Sequence, residues 1–140
     1  MPDLACDPQR LMREHDELIV LVGAVEAVVA AEAPAPAAAL QALAALRLAI
    51  DAHLAEEDAH VYPRLAGSAS LAEQAIGLQL IAEFRHLTGD WSLYLLRWKP
   101  ATIARDWAGF ARDTREMMAR LRARVARENA LLYPLAAKAA

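Results

Sequence analysis

The sequence has little of several residue types, and each shortage narrows the class of protein. A single cysteine, Cys6, excludes an internal disulfide and is typical of proteins of the reducing cytoplasm. The formal net charge of −3 provides no electrostatic attraction for nucleic acid. We therefore expect a cytoplasmic protein that does not bind nucleic acid.

Long hydrophobic runs are also missing. The longest apolar run, Leu18 to Val29, is interrupted by Glu26 and is shorter than the roughly 20 residues that span a bilayer. The segment MPDLACDPQR has no basic stretch followed by an apolar one, so we expect no signal peptide. These features predict that the chain does not associate with a membrane.

What is abundant favours helices. Hydrophobic residues make up 57% of the chain, and alanine, the best helix former, dominates them. Start and stop signals divide the sequence: Asp7-Pro8 and Ser70 open helices, and Pro63 and Pro134 are expected to end them. The predicted helices cover about residues 8–32, 37–62, 71–98 and 102–133.

Short connections between long helices imply antiparallel neighbours. A chain of 140 residues is long enough for one domain with its own core. We therefore predict a single all-α domain over residues 1–140, folded as an up-down-up-down antiparallel four-helix bundle.

Two stretches of the sequence share one frame. HLAEEDAHVYPRL (53–65) and RVARENALLYPL (124–135) each contain a glutamate, four residues and then Tyr-Pro. His53 of the first stretch falls opposite Arg124 of the second. The repeat predicts equivalent positions for Glu57 and Glu128 on the second and fourth helices.

Helical periodicity turns five charged or titratable side chains inward. His15 lies in the middle of the apolar stripe of the first helix, and Glu57 and Glu128 lie at the centres of the stripes of the second and fourth. His53 and Arg124 lie on the edges of those stripes. Because the levels of these residues coincide in an antiparallel bundle, they are predicted to surround one internal point near one end of the core.

Two facing buried carboxylates must be neutralised. With neutral histidines, Glu57, Glu128 and Arg124 sum to −1. A divalent cation would bring the site to +1, and a proton on His15 or His53 would bring it to zero, so both solutions are open. Two histidines and two carboxylates on facing helices form a ligand set suited to iron, manganese or zinc.

Three further residues are weaker candidates. His60 follows on the same edge of the second helix and could reach the mouth of the site, but an exposed histidine is the simpler interpretation. His86 and Asp90 could form an external i, i+4 metal pair, although a solvated polar face is the commoner outcome. The sequence therefore leaves both interpretations open for His60 and for the pair His86 and Asp90.

Three stretches that contain the inward histidines and glutamates carry a family resemblance. REHDEL in the first helix, HLAEEDAHVYPRL in the second and ENALLYPL in the fourth resemble the hemerythrin-like (HHE cation-binding) family over the full chain. The resemblance implies a four-helix bundle around a non-haem di-iron centre, with carboxylate bridges from helices two and four and histidines from all four. By position, it implies that His15 and His53 bind one iron and that Glu57 and Glu128 are the bridges.

Two positions depart from the pattern of that family. Arg124 stands where the helix-four histidine is expected, and Phe84 occupies the inward place of the helix-three histidine. His86, two residues from Phe84, faces another side of its helix. The implied cofactor is therefore iron in a mononuclear or partial di-iron centre, or zinc, or none.

These observations give three hypotheses on function. The first is a metal-binding protein that senses or stores metal, oxygen or oxidants, with a metal ion or small diatomic molecule as ligand. The second is a metal-free regulatory or structural module, with Arg124 neutralising both glutamates and a homodimer or regulatory protein as partner. The third, an enzyme, ranks last because the sequence shows neither an open coordination position nor a substrate pocket.

Overall fold

The computed structural model describes residues 7–68 and 70–138, so Cys6 lies outside the described residues. All regular structure in this part of the chain is helical, which confirms the prediction of an all-α protein. The α-helices are α1 (Pro8–Ala30), α2 (Pro36–Glu56), α3 (Tyr62–Ala66), α4 (Leu71–Arg97), α5 (Pro100–Arg105), α6 (Trp107–Arg127) and α7 (Tyr133–Lys138). Two π-helical turns, Glu57–Val61 and Glu128–Leu132, connect α2 to α3 and α6 to α7.

The predicted stops at Pro63 and Pro134 are wrong. Each proline is the second residue of a further helix, α3 or α7, which the preceding π turn joins to the longer helix. In each π turn the backbone N–H of the tyrosine donates to the carbonyl of the glutamate five residues earlier. The extra residue lets the helix continue past a proline that an unbroken α-helix would not accept.

The predicted start of the fourth helix also needs correction. A short helix, α5, comes first, and a break at Asp106 separates it from α6. The Asp106 carboxylate accepts a hydrogen bond of 3.0 Å from the Gly109 backbone N–H. A Cβ at residue 109 would collide with that carboxylate, so the cap depends on a glycine there.

Hydrogen bonds show how the long helices pair. Near the end of α1, the carbonyl of Val29 accepts from Arg115, early in α6, at 3.0 Å. Near the start of α1, His15 approaches Glu128, just after α6. Early residues of α1 therefore meet late residues of α6, as expected for antiparallel neighbours. The pair α4 and α6 shows the same order, because Glu83 contacts Arg127 while Trp98 contacts Asp113.

The core has two apolar parts with a polar layer between them. The larger part includes Leu18, Ile50 and Leu121 and extends to Trp91 on α4 and Trp98 directly after it. The smaller includes Val61 and Leu132 at the other end. The inward histidines and glutamates lie between these parts along their helices, which places the candidate site inside the protein rather than at its surface.

One helical stretch, Pro36–Ala66, is long and apolar enough to cross a membrane by length and composition alone. Its inward side chains, among them Leu43, Leu46 and Ile50, belong to the protein core. The same stretch carries His53 and Glu57, which are buried against other helices. In the most apolar 18 residues of this stretch, 28% are buried in the protein.

Candidate metal centre

The structure brings His15, His53, Glu57 and Glu128 to one place inside the protein. One ligand-type atom from each residue lies within 4.8 Å of the others. All four side chains are buried, and the two glutamates are at most 1% exposed. The sequence predicted this convergence from helical periodicity and depth.

The two π turns place the glutamates. Glu57 begins the first π turn, one turn after His53 in α2, and His53 Nε2 lies 2.6 Å from Glu57 Oε1. Glu128 begins the second π turn, one turn after Arg124 in α6. The shared sequence frame is thus also a shared local structure, with a carboxylate at the start of each turn.

Two tyrosines at the ends of these turns contact the site, and sequence reasoning gave them no role. Tyr62 donates a hydrogen bond of 3.0 Å to Glu57 Oε2. Tyr133 lies 3.1 Å from the other oxygen, Glu57 Oε1. A usable signal was present, since a buried tyrosine hydroxyl almost always has a polar partner.

Both histidines direct Nε2 toward the centre because Nδ1 is held on the other side. His15 Nδ1 lies 2.8 Å from Asn129 Oδ1, and His53 Nδ1 lies 3.4 Å from Glu14 Oε2. A partner of this kind fixes the tautomer and the ring orientation of a metal-binding histidine. Asn129 and Glu14 are therefore supporting residues that periodicity alone did not indicate.

Arg124 extends from the opposite side of the carboxylates. Its guanidinium donates to Glu57 Oε2 at 3.3 Å and lies 3.6 Å from Glu128 Oε2. It is held there by the Phe84 carbonyl at 3.2 Å and the Thr88 hydroxyl at 3.0 Å. The predicted contact of Arg124 with both glutamates is present.

Burial and charge shift the protonation of the metal-free site. Burial acts to lower the pKa of His53, but hydrogen bonds and charges of Glu128 and Glu57 outweigh it and raise that pKa to about 10. Burial and the nearby Glu128 raise the pKa of Glu57. Burial acts to raise the pKa of Glu128, but contacts with Glu57, His15, His53 and Arg124 outweigh it and hold that pKa well below the usual range. A proton on His53 therefore balances the charge when no cation is bound.

The three weaker candidates are not brought to the centre. His60 is exposed although it belongs to the first π turn. His86 lies 3.6 Å from Asp90, and Asp90 is bound more closely, at 2.6 Å, by Arg120. This arrangement is a partly solvated ion-pair group, and the interpretation as a polar face accounts for it.

A small cavity of about 40 Å³ borders His15, His53, Arg124 and Glu128. The rest of its lining is apolar: Leu18, Val22, Leu46, Ile50, Leu54, Leu121 and Val125. The volume corresponds to about one water-sized molecule. Periodicity and spacing did not predict this cavity.

The donor set suits a metal ion. Two imidazole nitrogens and two carboxylate oxygens are the ligands that iron and zinc use in helix bundles. Among the described residues, Glu128 Oε2 is buried and accepts no hydrogen bond, and Arg124, 3.6 Å away, supplies its counter-charge, which leaves Oε1 for a cation. These residues therefore fit a bound cation.

Comparison with known proteins agrees with this site. The family model for the hemerythrin HHE cation binding domain matches residues 7–136. Searches of curated proteins and of solved structures gave no match. The family match spans both π turns and all the residues that converge on the centre.

Proposed function

This chain belongs to the hemerythrin HHE cation-binding family, and from that premise we propose that it binds one metal ion between His15, His53, Glu57 and Glu128. The observation that carries the proposal is the convergence of their four ligand atoms within 4.8 Å in a buried site. Iron is the ion that the family favours, and zinc suits the same donors.

The two faces of the carboxylates support one ion rather than two. Glu57 Oε1 and Glu128 Oε1 face the histidines, at 2.6 and 3.6 Å from His53 Nε2. The Oε2 atoms of both residues face the guanidinium of Arg124. Each carboxylate thus has one oxygen for a metal ion and one for Arg124, which takes the place of a second cation.

The proposed role is sensing or storage of metal, oxygen or a related oxidant, in a protein that is not an enzyme. The adjacent apolar cavity of about 40 Å³ could admit a small diatomic molecule beside the ligands. The antiparallel contacts of α1 with α6 and of α4 with α6 support an up-down-up-down four-helix bundle as the scaffold. A homodimer or a regulatory protein would be the partner that reads the signal, and the cytoplasm would be the place of action.

A second function rests on Arg124. With His53 protonated, its charge and that of Arg124 neutralise Glu57 and Glu128 without a metal. The chain could then act as a metal-free regulatory or structural module. This alternative predicts a melting temperature that does not respond to a chelator, whereas metal binding predicts stabilisation that a chelator removes.

Anomalous diffraction from iron-soaked crystals tests the metal proposal. A single peak is expected at the point enclosed by residues 15, 53, 57 and 128. The absence of a peak there, with iron in excess, would favour the metal-free module. A second peak beside Arg124 would refute the assignment of a single ion.

A further inference from the structure

We propose that Tyr133 is a fifth protein ligand of the metal ion and binds it through the phenolate oxygen. This inference rests on the proposed function, because it concerns the same centre. It adds a residue of a type outside the histidines and carboxylates considered so far. It also favours a trivalent ion, ferric iron, over zinc.

The position of the hydroxyl oxygen carries the inference. Tyr133 Oη lies 2.8 Å from His15 Nε2, 3.1 Å from His53 Nε2 and 3.1 Å from Glu57 Oε1. The two Nε2 atoms are 2.9 Å apart. Atoms that share one ion at bond lengths of about 2.0–2.2 Å are separated by roughly 3 Å. The hydroxyl oxygen therefore lies among the ligand atoms, at the spacing that ligands of one ion have.

Tyr62, the equivalent residue of the repeated frame, occupies a different place. Its hydroxyl donates to the outer oxygen, Glu57 Oε2, and lies 3.4 Å from an Arg124 nitrogen. Tyr62 therefore belongs to the side of the arginine, and Tyr133 to the side of the histidines. The repeat supplies one tyrosine for each side of the carboxylate, which makes Tyr62 a matched control.

Hydrogen bonding alone accounts poorly for Tyr133 once a metal is bound. A phenol has one proton, so it can donate to only one of His15 Nε2, His53 Nε2 and Glu57 Oε1. With both Nε2 lone pairs directed at an ion, neither histidine can donate to the hydroxyl oxygen. The hydroxyl oxygen then receives no proton from either histidine, and its lone pairs lie beside the Nε2 atoms that bind the ion.

Charge balance explains why the phenolate goes with a trivalent ion. Glu57, Glu128 and Arg124 sum to −1, so a divalent ion gives +1 with a neutral phenol. A trivalent ion gives +2, and loss of the Tyr133 proton restores +1. In this step the O–H bond breaks, the oxygen forms a bond to the ion, and the proton passes to solvent. No electron is transferred.

Optical spectroscopy of the iron-loaded protein tests the ligand. Phenolate bound to ferric iron absorbs strongly in the visible region by charge transfer, whereas imidazole and carboxylate ligands alone do not. Protein loaded with ferric iron in air is expected to show this band, Tyr62→Phe is expected to retain it, and Tyr133→Phe is expected to lose it. Tyr133→His, which supplies a nitrogen ligand instead, is expected to keep the iron and lose the band.

The outcomes separate this inference from the proposed function. Wild-type protein that takes up no iron would overturn both. Iron bound without the band, or a band that survives in Tyr133→Phe, would overturn the Tyr133 ligand and leave the metal site intact. If the position-133 variants do not fold, resonance Raman of Tyr62→Phe protein with ring-deuterated tyrosine decides. Shifted phenolate modes support Tyr133, because Tyr94 is bonded to Thr114 away from the centre, and their absence overturns it.

Discussion

Arg124 is the residue on which the proposal of a single cation depends. It is a permanently charged group, 8% exposed, between two buried carboxylates and a backbone carbonyl. A protonated guanidinium cannot bind a metal, so it acts as an internal counter-ion. Under the proposed function, this counter-ion takes the place of a second metal ion.

Histidines at positions 124 and 84 should allow the centre to bind a second ion. In the double variant Arg124→His with Phe84→His, two imidazoles replace the guanidinium and the ring over which it lies at 5.1 Å. Metal content per chain is expected to rise by a second ion, measured by elemental analysis after iron loading. Arg124→Lys is the control, since it keeps a positive charge and should hold no more metal than the wild type.

Removing Arg124 should destabilise the metal-free protein strongly. Arg124→Ala leaves Glu57 and Glu128 without their cation in a buried site, which costs on the order of 3–5 kcal/mol of unfolding free energy. Urea unfolding in the presence of chelator measures the effect. Arg127→Ala is the control, because its ion pair with Glu83 is half exposed and is worth about 1 kcal/mol or less. If both variants lose a similar amount of unfolding free energy, Arg124 is not the counter-ion of the buried carboxylates.

The protonation of His53 predicts a pH dependence of the metal-free protein. Its pKa is about 10 in the folded state against an ordinary value of 6.5. Because the folded pKa is raised, the stabilisation is complete below pH 6.5 and is lost as the pH rises toward 10. Unfolding free energy measured with chelator should fall across this window. His53→Gln should flatten the curve, and an unchanged slope in that variant would exclude His53 as the group responsible.

Among the secondary-structure elements, the two π turns could not be predicted from the periodicity of the sequence. The direction of His15, Glu57 and Glu128 followed from about 100° per residue, and the structure agrees. In an α-helix, five residues advance by about 500°, so Tyr62 and Tyr133 would be about 140° away from their glutamates. The π hydrogen bond from residue i+5 to i turns each tyrosine inward, and both hydroxyls contact Glu57. A continuous α-helix would therefore not predict the contacts of Tyr62 and Tyr133 with Glu57.

The same extra residue explains why the predicted helix ends were wrong although His15, His53, Glu57 and Glu128 converge as expected. Pro63 and Pro134 come directly after the π turns, where a proline does not end the helix. The sequence alone does not indicate the π turns, so both prolines were predicted to be helix ends. The proposed metal ligands precede or begin the turns, so they keep the direction of the α-helix. Arg124 and Phe84 could be identified from the sequence, but Asn129 and Glu14 depend on ring orientations that only the structure gives.

Inserting an alanine after Ala130 tests the role of the second π turn. Ala130 is exposed, and one more residue between Glu128 and Tyr133 should rotate Tyr133 by about 100° away from the centre. Helix content by circular dichroism should be retained, whereas iron affinity should fall. Insertion of an alanine after the exposed Ala137, which follows Tyr133, is the control and should leave iron affinity unchanged. Equal affinity in the Ala130 insertion would show that the direction set by the π turn is not needed.

For the whole molecule, the polar layer between two apolar clusters links metal binding to folding. The proposed ligands come from α1, from the end of α2 with the turn after it, and from the turn after α6, so a bound ion would join three parts of the chain. Binding to the folded state alone adds about 2.7 kcal/mol when the free metal is a hundred times the Kd. The melting temperature should therefore rise with iron and fall with chelator. A melting temperature that ignores both would favour the metal-free module.

Metal analysis of the purified protein tests the central claim most directly. Wild type, His53→Ala and His60→Ala would be produced with iron supplied and compared after removal of loosely bound metal. We predict one iron ion per chain in the wild type and in His60→Ala, whose side chain is exposed away from the centre, and loss of the ion in His53→Ala. Wild-type protein holding no more metal than His53→Ala would contradict the claim.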